Sequence, residues 1–244
     1  MSSTIVLVHG AWHGAWCWDR VAVPLREQGH AVVAVDLPGH GTDPRPLGDL
    51  HGDAAAVRDA LDALDAADGE VVLVGHSYGG AVITEAGGHP SVGRLVYLAA
   101  FCIEDHETCA TAGGDDPRLA AISHEGRPNL AEAFVIHDDG TITLTPDGAA
   151  DCLYNDCDQP SIDWALAHLT PQPMVTFTQS PSVASWHTRP ATYVVCDHDQ
   201  GVHPDLQRLM AERCETTVTW PVDHSPFLSD PTRVVEFLAE LADR

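Results

Sequence analysis

The chain has 244 residues, 44% of them hydrophobic, and its 12 basic and 36 acidic side chains leave a formal charge of −24. That length suits one large α/β domain with a full core, and that charge opposes binding to nucleic acid or anionic membrane, both of which need basic patches. All 12 basic residues are arginine, which rules out a P-loop lysine, a Schiff-base lysine, a Ser-Lys hydrolase and the Tyr-x-x-x-Lys pair of a short-chain dehydrogenase.

Ile5-Val6-Leu7-Val8 is a short, continuously apolar run, the pattern of a strand buried on both faces. The loop His9-Gly10-Ala11-Trp12-His13-Gly14 follows at once, at the carboxyl end of an inner strand, where α/β sheets place ligands. It is not G-x-G-x-x-G, and no dinucleotide fingerprint follows it. Trp16 to Gln28 reads as a helix closed by Gly29. Ala31 to Val35 is the next strand, ending in a turn cluster where Asp36 reads as a turn-stabilising residue rather than a catalytic acid. Apolar residues at 57, 60, 61 and 64 give a helical period over Asp53 to Ala67.

The run Val71-Val72-Leu73-Val74 then leads into Gly75-His76-Ser77-Tyr78-Gly79-Gly80, and a helix-compatible run, Ala81 to Ala86, leads out. This is G-x-S-x-G between a strand and a helix, the nucleophile elbow. A serine aimed out of so sharp a turn has strained backbone angles and close neighbours, and the flanking glycines leave room for it. Leu95 to Ala100 is another buried strand. The order β-α-β-α-β-α-β argues for a mostly parallel sheet with helices on both faces.

Between 102 and 188 the alternation breaks. This stretch holds no buried strand run, a hairpin pattern from Phe134 to Leu144 around Asp139-Gly140, helix patterns near 147–154 and 160–169, and prolines at 171, 173 and 181. An insertion of that length reads as a lid or cap on a core made of 1–101 and 189–244. The α/β order resumes with a strand from Ala191 to Cys196, a helix from Pro204 to Arg213, a strand from Thr216 to Trp220 and a helix from Pro231 to Ala242. The resumed strands end in Asp197-His198-Asp199 and in Asp223-His224. Serine, then aspartate, then histidine, each just past a strand end, is the chain order of a Ser-Asp-His hydrolase triad. Ser77 is then the nucleophile and His224 its base, and both Asp197 and Asp199 stand as candidates for the acid. Asp223 reads as a loop hydrogen-bonder.

The seven cysteines are odd in number, no secretory signal precedes them and no apolar run reaches the length of a membrane span. The expectation is a cytoplasmic protein with mostly buried, reduced thiols. The 15 histidines form no zinc-type spacing, so no metal or cofactor is expected and solvent exposure is the preferred reading for them. Trp12, Phe101, Trp164 and Trp186 are candidates to line a substrate pocket, with simple packing as the competing reading.

Over nearly its whole length the chain resembles the α/β-hydrolase branch that holds plant methyl esterases, polyneuridine aldehyde esterase and hydroxynitrile lyases. The resemblance is carried by His9 to Trp16, Gly75 to Gly80, Leu98-Ala99-Ala100-Phe101, Leu153-Tyr154-Asn155, Tyr193 to Asp199, Leu206-Gln207 and Asp223-His224. It implies the α/β-hydrolase fold and a cofactor-free serine esterase acting on a small-molecule ester, with a homodimer left open. It implies Asp199 as the acid, eight residues before the glutamine of the Leu-Gln pair, and the amides of Ala11 and Tyr78 as the oxyanion hole. Hydroxynitrile lyases of this branch use a threonine where this chain has Gly10 and a lysine where it has Ser225, so cyanide chemistry by that route is not expected. A hydrolase-like small-molecule receptor is the alternative from another class. Serine rather than aspartate at the elbow argues against epoxide hydrolase and dehalogenase chemistry.

Overall fold

The computed structural model describes residues 3–64 and 70–243. Its strands are β1 (Thr4–Val8), β2 (Val32–Val35), β3 (Val71–His76), β4 (Val92–Leu98), β5 (Phe134–Ile136), β6 (Thr141–Leu144), β7 (Gln172–Pro173), β8 (Ala191–Cys196) and β9 (Thr216–Trp220). Its helices are α1 (Asp19–Glu27), α2 (Leu50–Asp62), α3 (Gly79–Ala86), α4 (Pro146–Leu153), α5 (Gln159–Leu166), α6 (Pro204–Ala211), α7 (Pro226–Ser229) and α8 (Pro231–Ala242).

Six strands form one sheet in the order β2-β1-β3-β4-β8-β9, and every pair in it is parallel. β1, β3 and β8 are buried along their whole length, which is why they read as unbroken apolar runs. The chain moves from β1 outward to β2, then returns to the other side of β1 for β3 and β4. Right-handed crossovers in opposite directions put their helices on opposite faces. Accordingly α1 packs with α8, and α2 packs with α3. The reversal between β1 and β3 is the point in such a sheet where ligands bind, beyond the carboxyl ends of the strands.

The 102–188 stretch enters between β4 and β8 and carries a small antiparallel sheet, β5-β6-β7, together with α4, α5 and several single 3-10 turns. β7 went unforeseen: it is two residues long and pairs Gln172 with Ile142, too short for any alternation to register. α2 begins at Leu50, three residues before the apolar period starts, because the Asp49 carboxylate accepts the Gly52 N–H (2.9 Å) and caps the first turn. It ends at Asp62, and part of the expected helix end, residues 65–67, lies outside the described residues. Among the described residues no helix is long and apolar enough to cross a membrane.

Candidate active site

Among the described residues three that are not glycine have positive φ: Trp12 (64°), Ser77 (52°) and Ala99 (48°). They sit just past the carboxyl ends of β1, β3 and β4, three neighbouring strands. Strain of this kind persists only where the surroundings over-determine it, and it clusters at functional sites. At Ser77 the surroundings are plain. Its N–H donates to the Leu98 carbonyl (3.3 Å), and its carbonyl accepts from Gly80 N–H (2.9 Å) and Phe101 N–H (3.0 Å). The glycines are required sterically: a Cβ on Gly75 would lie 2.5 Å from the Gly79 carbonyl oxygen, and one on Gly79 would lie 2.6 Å from that of His9. A Cβ on Gly10 would come within 2.9 Å of both Ser77 Cβ and His76 Nδ1, so the β1 loop and the elbow are in contact.

Asp199 and His224, from the loops after β8 and β9, meet in the interior. His224 Nδ1–H donates to Asp199 Oδ2 (2.7 Å), and the two side chains are 2% and 0% exposed. Three further donors fill the carboxylate: Gln207 Nε2–H to Oδ2 (2.7 Å), and the amides of Gly201 (2.7 Å) and Val202 (2.8 Å) to Oδ1. The eight-residue interval from Asp199 to Gln207 thus has a physical content, since the glutamine on α6 reaches back to the acid and also accepts the Cys196 N–H (2.9 Å). Asp197 is elsewhere, paired with Arg208 at the surface. The elbow and the histidine loop are joined through His76, whose Nε2–H donates to the His224 carbonyl (2.8 Å) and whose ring lies 4.6 Å from that of His224. The Ser77 hydroxyl makes no hydrogen bond within the described residues.

The amides of Ala11 and Tyr78 have no acceptor among the described residues, whereas the next amide, that of Trp12, donates to Gln172 Oε1 (3.2 Å). His9 Nδ1–H holds the Gly10 carbonyl (2.8 Å). Carbonyl and N–H of one trans peptide point opposite ways, so the Ala11 N–H is aimed away from His9. His13 Nδ1–H likewise holds the Ala11 carbonyl (2.7 Å).

These histidines correct an expectation. His9, His13, His40, His76 and His224 are buried rather than solvent-exposed: the rings of the first four close backbone hydrogen bonds at the sheet's carboxyl edge, and that of His224 bonds the Asp199 carboxylate. Burial drives His9 and His76 well below the usual imidazole range and His13 down to about 4, so all three stay neutral.

A residue not singled out from the sequence stands behind the elbow. Tyr78, wholly buried, donates its hydroxyl to Asp53 Oδ2 (2.7 Å), and Asp53 Oδ1 is buried without a partner among the described residues. Burial raises the Asp53 carboxyl to about 7, against the opposing effect of the tyrosine bond. The available signal was positional: Asp53 lies four residues before Val57, on the apolar stripe of α2.

Of the four candidate pocket aromatics, Phe101 is half-buried beside the elbow. Trp12 is buried, with Nε1–H on the Ile142 carbonyl (2.9 Å) and its ring against Phe134 and Phe177. Trp164 packs on Trp16 and His168, and Trp186 donates to the Ile103 carbonyl (3.0 Å) beside Arg213. Asp36 and Asp223 both act in loops: Asp36 accepts from Ala15 and Thr42, and Asp223 from Ser225 and Ser229. The cysteines are free thiols, five of them buried. Among the described residues no three His, Cys, Asp or Glu side chains converge as a metal site.

Residues 5–237 match the model of the alpha/beta hydrolase family. The chain is 30% identical to the alpha/beta hydrolase nvfD of Aspergillus novofumigatus (strain IBT 16806), over 99% of this chain and 97% of that protein. It is 29% identical to Methylesterase 9 of Arabidopsis thaliana, over 98% of each. Among solved structures it superposes on a pyrethroid hydrolase, PytH, with a TM-score of 0.81 and 26% identity, covering 100% of this chain and 98% of that one.

Proposed function

Because the chain belongs to the alpha/beta hydrolase family, we propose that it is a cofactor-free serine hydrolase that cleaves small carboxylic esters through an acyl-enzyme, with Ser77, His224 and Asp199 as its triad. The observation that carries this reading is the fully buried Asp199–His224 bond (2.7 Å) on the same edge of the sheet as the strained Ser77 elbow. Asp199 holds the proton on His224 Nδ1, which leaves Nε2 free to accept one. His224 takes the Ser77 proton as the hydroxyl attacks the ester carbonyl, and the negative charge that develops on oxygen is met by the amides of Ala11 and Tyr78. His224 then returns the proton to the departing alcohol, and a water activated the same way releases the acid.

The names of the relatives, a methylesterase and a pyrethroid hydrolase, support small esters as the substrate class. In this reading residues 102–188 act as a lid over the site, and Trp12 and Phe101 border the bound ester. Trp164 and Trp186, engaged in packing, shape the lid rather than touch the ester. The same geometry argues against cyanide release, since a threonine side chain at Gly10 would run into Ser77 Cβ (2.9 Å from the first added carbon).

The test is Ser77→Ala assayed on a short-chain p-nitrophenyl ester beside mandelonitrile. Ester turnover is expected to drop by on the order of a million-fold, and labelling by a fluorophosphonate to vanish, with the fold retained. Labelling of Ser77→Ala protein at the wild-type rate, or Ser77-dependent cyanide release without ester hydrolysis, would overturn the reading.

A further inference from the structure

The carboxyl-end loops of β1, β8 and β9 carry Ala11, Asp199 and His224; β8 and β9 are neighbours in the sheet, but the sheet does little to fix the β1 loop to the other two. β1 and β9 are four strand intervals apart, roughly 19 Å at normal spacing; the loops after β8 and β9 are tied by His198 N–H to the Val222 carbonyl (3.0 Å), whereas among the described residues no backbone bond joins either of them to the β1 loop. Something above the sheet must set the position of the β1 loop relative to the other two.

One short segment of the insertion reaches all three. Tyr154, wholly buried at the end of α4, donates its hydroxyl to His13 Nε2 (2.7 Å), and His13 in turn holds the Ala11 carbonyl. Asp156 Oδ2 accepts from His198 Nδ1 (2.6 Å), and Asn155 Nδ2–H donates to the His198 carbonyl (3.2 Å), one residue before Asp199. The Asp156 amide (3.1 Å) and the Cys157 thiol (3.5 Å) both donate to Asp223 Oδ2, one residue before His224. Leu153 completes the contact: a Cβ on Gly201 would lie 3.2 Å from both Leu153 Cδ2 and His224 Cγ.

We propose that residues 154–157, led by Tyr154, are positioning residues that clasp the loops of Ala11, Asp199 and His224 into one geometry, acting through His13, His198 and Asp223. This rests on the esterase reading above. The links are unequal. The His198–Asp156 pair is half exposed and contributes little. The bonds to His13 and Asp223 are buried, where an unmet partner is costly. The strongest lever is Tyr154. The Ala11 carbonyl can only accept, so the His13 proton sits on Nδ1 and Nε2 takes the tyrosine proton, which makes the hydroxyl the second anchor that fixes the ring's orientation. Without that hydroxyl Nε2 is left unmet in the interior, and the ring, with the Ala11 carbonyl it holds, is free to turn.

Tyr154→Phe removes one oxygen from the packed core and tests this directly. Expected are a 10- to 100-fold lower kcat, part of the loss that follows removal of a whole oxyanion donor, with KM within about twofold, and fluorophosphonate labelling of Ser77 slowed by the same factor as kcat. The ¹⁵N shift of His13 Nε2 should move to that of an imidazole nitrogen that accepts no hydrogen bond, while Nδ1 stays protonated. A Tyr154→Phe/His13→Phe double variant should be no slower than His13→Phe alone, because the tyrosine acts through the histidine. A folded Tyr154→Phe protein with wild-type kcat, or with an unchanged His13 Nε2 shift, overturns the proposal, as does a lowered Tm with no change in kcat. If the wild type itself shows no Ser77-dependent turnover, the esterase reading falls, and the His13 spectrum still decides whether Tyr154 sets the loop.

Discussion

Asp197 and Asp199 stand two positions apart at the end of one strand, and only their surroundings separate them. Asp199 takes four donors in the dry interior, one of them from His224. Asp197 is a surface partner of Arg208. An amide at 199 could not accept both the imidazole N–H and its present donors, so His224 would lose its working tautomer. Asp199→Asn is therefore expected to cost roughly 10⁴-fold in kcat, and Asp197→Asn less than about threefold, read from steady-state kinetics on one ester. A larger loss at 197 would reverse the assignment. The choice was legible only through the resemblance and its eight-residue spacing. The residues alone left it open, because a contact between 199, 207 and 224 has no local signature.

Helices and strands were legible wherever period or burial was regular: β3, α3 and α8 lie close to where the apolar pattern puts them. α2 hides more than its pattern tells, since its stripe includes Asp53. The carboxyl titrates at about 7 in the fold against about 3.9 in the unfolded chain. A raised folded-state pKa gives stability that is complete below the unfolded value and is lost as pH climbs through the folded one. Ionised Asp53 must sit in the core facing Tyr78, with Asp49 opposing its charge and Arg45 favouring it. Asn at this position does not ionise. Asp53→Asn is thus expected to gain roughly 2–3 kcal/mol relative to wild type on going from pH 5 to pH 8, at about 1.4 kcal/mol per pH unit up to the folded pKa. Urea midpoints at the two pH values measure it; a constant difference between the proteins would mean that Asp53 is already ionised at pH 5.

For the molecule as a whole the buried histidines set the acid limit. His9, His13 and His76 are held neutral by burial, His13 down to about 4, while each is free to protonate near 6.5 once the chain unfolds. A lowered histidine contributes stability that is complete above the unfolded pKa and is lost as pH falls through the folded value. His13 alone accounts for roughly 3 kcal/mol between neutrality and pH 4. Asp53 slopes the other way over part of that range, but one carboxyl faces three imidazoles. Stability should therefore decline as pH drops from about 6.5 to 4, visible as a falling urea midpoint, and substituting His13 with Gln should flatten part of that slope. A midpoint independent of pH over this window would contradict the buried, neutral histidines.

The chain itself determined the parallel α/β order, the elbow around Ser77 and the Ser-Asp-His succession, because these depend on burial pattern and on backbone room that glycine provides, both local properties. It also marked 102–188 as an interruption of the sheet. Only the tertiary structure decided that the histidines are internal, that Asp53 lies under Tyr78, and that four residues of the insertion reach the loops of Ala11, Asp199 and His224. Each of these joins residues dozens to more than a hundred positions apart, or at least brings a polar group into the core from outside its own element. Their cost of burial is met by a distant partner, and a distant partner leaves no period or spacing in the sequence.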